Sequence, residues 1–156
     1  MIRIERCTAI HTPIERCFDL SRSIDLHMAS TDGTGEKAVA GVVSGLIGPD
    51  QTVTWRGRHF GFPVTHMSRI TGYSSPTYFQ DSMVRGLFRR FCHDHYFEQH
   101  EGHILMKDVM EFEAPFGFLG KVTEQVLLLR HMSDLLDRRN RCIKKTAESD
   151  LWKHYL

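Results

Sequence analysis

The alternation of hydrophobic and polar residues predicts a strand and two short helices at the start of the chain. Residues 2–10 alternate apolar with polar side chains, which is typical of a strand with one buried face. The sequence TPIE at residues 12–15 has the form of a capping box and predicts a helix that runs to about Leu20. Residues 23–31 predict a second short helix, which the turn residues at 31–35 end.

Between Glu36 and Glu113 the pattern has a period of two, which predicts six further strands in a meander. Turn-forming residues separate these strands, at 48–50, 60–63, 74–76, 85–86 and 100–102. The segment APFG at 114–117 closes the sheet. The expected fold class is therefore α+β, with a curved antiparallel sheet of about seven strands.

A long helix is predicted from about Leu119 to about residue 145. Its apolar stripe consists of Val122, Val126, Leu129, Leu136 and Ile143, and the polar residues Ser133 and Asn140 interrupt it. We assign residues 1–148 to one domain and residues 149–156 to a tail or an extension of the helix. Trp152 and Tyr155 in that tail are expected to be at least partly buried. They could pack on their own domain or across a homodimer, and the sequence does not decide between the two.

Composition and charge argue against several classes of protein. The formal net charge of +1 creates no field that would favour nucleic acid. No apolar run is long enough for membrane insertion, and the N-terminus lacks the apolar centre of a secretory leader. The four cysteines have no CxxC spacing and suit a reducing compartment, so we expect a cytoplasmic protein.

Four segments carry a resemblance to a known family: GVVSGLIG at 41–48, VTWRGRHFG at 53–61, FCHDHYF at 91–97, and the strand and turn of 108–120. With the order of the elements, they resemble the START-like superfamily, also called SRPBCC or polyketide cyclase/dehydrase-like, in a bacterial branch of ligand-binding type. The resemblance implies a helix-grip fold, in which the sheet wraps around the long helix and encloses a cavity for lipids, polyketides, isoprenoids or hormones. Some members are cyclases or dehydratases and many only bind, so the fold by itself implies no reaction.

Strand alternation predicts which side chains face such a cavity. Trp55 and His59 share the apolar face of their strand, and the same reasoning places large apolar residues inward on the later strands. The predicted ligand-binding residues are Trp55, His59, Phe79, Met83, Phe91, Phe97, Met106, Met110 and Phe112 on the strands, with Val122, Val126 and Leu129 on the helix.

Hairpin register predicts a polar patch on this inward face. Turns near Gly86 and near residues 99–102 place Asp81 opposite His93, and His95 opposite Asp108. Opposed residues have Cβ atoms roughly 5 Å apart, so the four side chains should meet.

Three interpretations of this patch stay open. The groups could brace the sheet by satisfying one another, since buried polar groups pair. They could anchor a polar ligand atom or act as an acid–base site, because a carboxylate can orient an imidazole. The spacing His93-x-His95 with a carboxylate could also bind a metal, but this spacing arises easily by chance among ten histidines, and we predict neither metal nor cofactor.

The function we expect is binding of a hydrophobic or amphipathic small molecule in the cavity. One alternative is an enzyme similar to polyketide cyclases or dehydratases, with His93 or His95 as the base and Asp81 or Asp108 holding it. Another is a protein-interaction module that uses the aromatic tail and the basic face of the last helix, formed by Arg138, Arg139, Arg141, Lys144 and Lys145.

Overall fold

The computed structural model of the chain describes residues 1–114 and 122–156, with side chains from 125 onward in the second range. Its elements are β1 (Ile2–Ile10), α1 (Ile14–Ser21), α2 (Ile24–Ser30), β2 (Lys37–Gly41), β3 (Thr52–His59), β4 (Phe62–Ser74), β5 (Tyr78–Arg85), β6 (Arg90–His100), β7 (His103–Glu113), α3 (Val122–Ala147) and a short 3₁₀ helix (Asp150–His154).

The seven strands form one antiparallel sheet in the order β1-β7-β6-β5-β4-β3-β2. Strands β2 to β7 pair with their neighbours in sequence, and β1 adds to β7 at the edge. Register shifts between β4 and β5, at Met67/Ser68 and Ile70/Gly72, bend the strands. The α+β architecture and the meander predicted from the sequence are confirmed.

Helix α1 begins one residue later than the capping box predicts, and its N-terminus lacks a side-chain cap. Pro13 occupies the N-cap position with an extended backbone, and the buried Thr12 hydroxyl has no hydrogen-bond partner among the described residues. The predicted capping box is therefore wrong. The burial of Phe18 holds the helix on the sheet instead, since its ring packs edge-on against Phe79 and Phe97.

Helix α3 runs unbroken from Val122 to Ala147, and the predicted start at Leu119 lies outside the described residues. Its buried apolar residues are Leu128, Met132, Leu136, Ile143 and Ala147. The inward positions predicted for Val126 and Leu129 are wrong, because these side chains are 58% and 38% exposed. The side chain of Val122 lies outside the described part.

The C-terminal tail packs on its own domain. Trp152 and Tyr155 are half-buried against the core, and the guanidinium of Arg16 lies 4.2 Å from the centre of the Trp152 ring. The predicted partial burial of both rings is confirmed.

Candidate functional site

A cavity of about 190 Å³ lies between α3 and the concave face of the sheet. Most of its wall is apolar, with Ile70 from β4 and Leu136 from α3 on opposite sides. Five predicted ligand-binding residues line it: Trp55, His59, Phe79, Phe91 and Met110. Of the predicted polar patch, Asp81, His93 and His95 reach the wall, whereas Asp108 lies behind it, fully buried.

The other predicted strand residues do not line the cavity, namely Met83, Phe97, Met106 and Phe112. Helix α1 covers the part of the sheet that carries Phe97 and Met106. Phe18 packs on the ring of Phe97, and Ser21 contacts the sulfur of Met106. Alternation places a side chain on the correct face, but it does not show which helix covers that face.

Asp108 is the centre of a buried polar network. Its Oδ1 atom lies 3.0 Å from Nε2 of His93, 2.9 Å from Nδ1 of His95 and 3.3 Å from the guanidinium of Arg139. Its Oδ2 atom accepts a hydrogen bond of 2.8 Å from the amide of Asn140. Burial alone would raise the pKa of Asp108, but the histidine hydrogen bonds and the charge of Arg139 hold the pKa well below its usual range.

Arg139 and Asn140 were not predicted to belong to this site. Both are buried on α3, and Arg139 also donates to the backbone carbonyl of Ser21 at 2.9 Å. The sequence pattern predicts Arg139 on a basic face of the helix and Asn140 as an interruption of its apolar stripe. Both placements are wrong, because these residues supply the donors that the buried carboxylate of Asp108 requires.

The predicted register of the patch is confirmed: Asp81 pairs with His93 and His95 with Asp108. The side-chain contacts, however, do not always join the residues that lie directly opposite each other in the sheet. Asp81 Oδ1 lies 3.1 Å from Nε2 of His95 but 4.0 Å from Nδ1 of His93, because His93 directs its other ring nitrogen to Asp108. The two imidazole rings lie 3.8 Å apart, centre to centre.

Burial and charge set the protonation of His93 and Asp81 on the cavity wall. Burial, reinforced by the neighbouring His95, lowers the pKa of His93 to about 4 despite the hydrogen bond to Asp108. Burial opposes ionisation of Asp81, but the His95 hydrogen bond and the nearby imidazoles lower its pKa to about 2. At neutral pH, His93 is therefore neutral and Asp81 is a carboxylate.

A second polar group lines the cavity and joins three elements, α2, β3 and α3, through a residue just before β2. Glu36 accepts from Nε2 of His27 at 2.9 Å and from Nε2 of His59 at 3.1 Å, and Nδ1 of His59 lies 3.0 Å from Nε2 of His131. The ring of His27 stacks on Trp55 at 4.2 Å. We call these four residues (His27, Glu36, His59 and His131) the Glu36 cluster.

Only His59 of the Glu36 cluster was predicted from the sequence. His131 could have been found, because it lies three residues from Leu128 and four from Leu135 on the inward face of α3. No local pattern indicates Glu36 or His27, which meet through tertiary packing alone.

Comparison with known proteins identifies the fold. No family model matches the chain, and no curated protein matches it. Among solved structures, a START superfamily protein from Mycobacterium smegmatis has a TM-score of 0.69 at 7% identity, covering 94% of this chain and 97% of its own. Ginseng major latex-like protein 151 from Panax ginseng has a TM-score of 0.66 at 13% identity, covering 95% and 98%.

A third similar structure is the di-domain ARO/CYC StfQ of the steffimycin biosynthetic pathway, with a TM-score of 0.73 at 11% identity, covering 94% of this chain and 50% of its own. The chain has the START-like helix-grip fold. Identities this low establish the START-like architecture alone, so any function must come from the side chains of the cavity. Separately, none of the helices in the described ranges is long and apolar enough to cross a membrane.

The contacts in the polar patch predict which residues are energetically coupled. We expect Asp81→Asn and His95→Ala to cost less together than the two single changes added, with a coupling of roughly 0.5–3 kcal/mol, because the two groups are in contact. Asp81→Asn with His93→Ala should couple less, since 4.0 Å separates those groups. Urea unfolding of the single and double variants measures both values, and a stronger coupling to His93 would contradict the observed geometry.

The Glu36 cluster predicts a pH-dependent contribution to stability. Burial opposes ionisation of Glu36, yet its two histidine partners lower its pKa in the folded state well below the ordinary 4.5. The stabilisation is therefore complete above pH 4.5 and is lost as the pH falls further, when the unfolded chain takes up the proton first.

In urea titrations from pH 7 to pH 3, the stability difference between the wild type and Glu36→Gln should shrink below pH 4.5. Asp81 and Asp108 titrate in both proteins, so their contribution cancels in the difference. A constant difference across this range would contradict the expected shift.

Proposed function

We propose that the protein binds a compact hydrophobic or amphipathic small molecule, of lipid, polyketide or isoprenoid type, in the cavity beneath α3. The observation that supports this most is an apolar cavity that carries, on one wall, polar groups already held in place by a buried network. Asp81, His93 and His95 reach that wall, and Asp108 orients both imidazoles from behind. A few fixed polar groups in an apolar cavity are the usual form of a small-molecule site.

The size of the cavity favours a compact ligand. Its volume of about 190 Å³ is below the range of roughly 300–1,000 Å³ common for ligand pockets. Phe60 and Leu87 line the cavity and are 43% and 48% exposed, so they mark a side that is open to solvent. A longer molecule would place one end inside and extend past these two side chains.

The polar wall favours a ligand that donates hydrogen bonds. Nε2–H of His93 donates to Asp108, which leaves Nδ1 as an acceptor beside the carboxylate of Asp81. A hydroxyl group can donate its hydrogen to one of these acceptors, whereas a carboxylate on the ligand would be repelled by Asp81. We therefore expect the ligand to carry a hydroxyl group rather than an acid at its buried end.

Binding of 2-naphthol, a compact ring system with one hydroxyl, tests this proposal. Calorimetry should show binding to the wild type, weaker binding of 2-naphthoate, and a loss of at least about tenfold in Met132→Trp, equivalent to roughly 1.4 kcal/mol. Met132 lines the cavity, so the larger ring fills it. The matched control is Leu129→Trp, on the exposed side of the same helix, which should bind like the wild type.

Equal affinity of Met132→Trp and Leu129→Trp would contradict a site in this cavity. Equal affinity of naphthol and naphthoate would contradict the role assigned to the polar wall while leaving the site itself in place. Circular dichroism of both variants distinguishes lost binding from lost folding.

A second candidate function is an enzyme similar to polyketide aromatases and cyclases. The observation in its favour is the imidazole of His95, which lines the cavity between two carboxylates, 2.9 Å from Asp108 and 3.1 Å from Asp81. Such carboxylates orient an imidazole for proton transfer. The candidate base is His95 because of this placement, and His93, with a pKa of about 4, is a weak base at neutral pH.

The enzyme candidate predicts turnover of a compound with alternating carbonyl groups. Mass spectrometry should detect its cyclised or dehydrated product, and His95→Gln should reduce the rate by about 100-fold or more, as expected for loss of a general base. A rate in His95→Gln equal to that of the wild type would remove this candidate.

A further inference from the structure

The two histidines of the polar patch are oriented from one side. Nε2 of His93 and Nδ1 of His95 both approach the same oxygen of Asp108, at 3.0 and 2.9 Å. The two nitrogens of an imidazole point in divergent directions, so the remaining nitrogens, Nδ1 of His93 and Nε2 of His95, lie on the far side of the rings. Asp81 Oδ1 is there, 4.0 Å from the first and 3.1 Å from the second.

Counting donors shows what this arrangement lacks. If each imidazole donates its one N–H to Asp108, Nδ1 of His93 and Nε2 of His95 carry bare lone pairs. Both lone pairs face the carboxylate of Asp81, which is also an acceptor. In this tautomer the 3.1 Å contact between Asp81 and His95 has no donor, so three acceptors converge, and the neighbouring charges of Asp81, Asp108 and Arg139 leave one negative charge uncompensated. A positive species between these atoms would satisfy all three.

We propose that Asp81, His93 and His95 bind a divalent transition-metal ion of the zinc or iron type. Two imidazoles and one carboxylate form a recurrent ligand set for such ions. Their ligand atoms lie within 4.8 Å of one another. Metal–ligand bonds of about 2.0–2.2 Å hold the ligand atoms roughly 3–3.5 Å apart. The pair of His95 and Asp81 already has this spacing, whereas His93, whose Nδ1 lies 4.0 Å from Asp81 Oδ1, must move closer to complete the site.

The residues around these ligands support the same assignment. Asp108 lies at the other ring nitrogen of both histidines and accepts its N–H, which is the usual arrangement behind metal-binding imidazoles. Arg139 and Asn140 hold Asp108 in turn. Three protein ligands leave at least one coordination position, and it faces the cavity, where water or a hydroxyl of a bound molecule could occupy it.

Metal binding is tested on full-length protein treated with a chelator and dialysed. Titration with Zn²⁺, followed by calorimetry, should show one ion bound per chain. Co²⁺ should give visible absorption bands of a site with nitrogen ligands, which report the coordinating atoms directly. His93→Ala, His95→Ala and Asp81→Asn should each weaken Zn²⁺ binding by at least the roughly 10–100-fold typical of losing an outer-shell partner.

The matched control is the double variant His100→Ala/His103→Ala. These histidines also form a close pair on β6 and β7, with ring centres 5.3 Å apart, but they lie outside the cavity. The control should bind Zn²⁺ like the wild type. Asp108→Asn should weaken Zn²⁺ binding, because Asp108 positions the two histidines. The cobalt absorption bands should stay the same, because Asp108 is not itself a ligand.

Absence of Zn²⁺ and Co²⁺ binding in the wild type would overturn the proposal. Binding lost in the control but kept in the Asp81 and His93 variants would also overturn it. Thermal unfolding shows whether each variant is folded, and the cobalt spectrum of the wild type needs no variant. The proposal does not depend on small-molecule binding, because naphthol titration of the metal-free protein tests that function separately.

Discussion

Burial of the Asp108 carboxylate is the constraint on which the rest of the structure depends. A fully buried charge is costly unless donors surround it, and here they come from β6 and from α3. Because Arg139 and Asn140 must face the sheet to reach Asp108, the rotation of α3 about its axis is determined. Met132 and Leu136 then face the cavity, and Leu129 faces solvent.

The same constraint keeps the site in position. His93 and His95 cannot turn freely, since each has one ring nitrogen committed to Asp108, and that commitment determines which nitrogen faces the cavity. The helix and the sheet are joined through polar contacts at this end and through apolar contacts elsewhere. The side chains of Arg139 and Asn140 span the gap between α3 and the sheet where they reach Asp108. This spacing is consistent with a cavity next to these contacts rather than a filled core.

The features that could be predicted from the sequence are those that short-range patterns determine, such as strand register. The register of Asp81 with His93 follows from alternation and one short turn, and both are local properties. The phase of α3 was predicted incorrectly, because Arg139 and Asn140 were not recognised as partners of a buried charge. Their partner Asp108 lies about thirty positions away in the chain and contacts them only through tertiary packing. For the same reason the Glu36 cluster could not be read from the sequence beyond His59.

Bracing of the sheet explains Asp108 but not Asp81. Among the described residues Asp108 has four partners and joins α3 to the sheet, whereas Asp81 has one close contact, with Nε2 of His95 at 3.1 Å, and its side chain is 22% exposed. A sheet that needed only internal pairing would be satisfied by an apolar residue at position 81, because each histidine already donates to Asp108. The carboxylate of Asp81 instead places a negative charge beside two ring nitrogens on the cavity wall. Its position is what the two proposals require, a donor group of a bound ligand or a cation at the cavity wall.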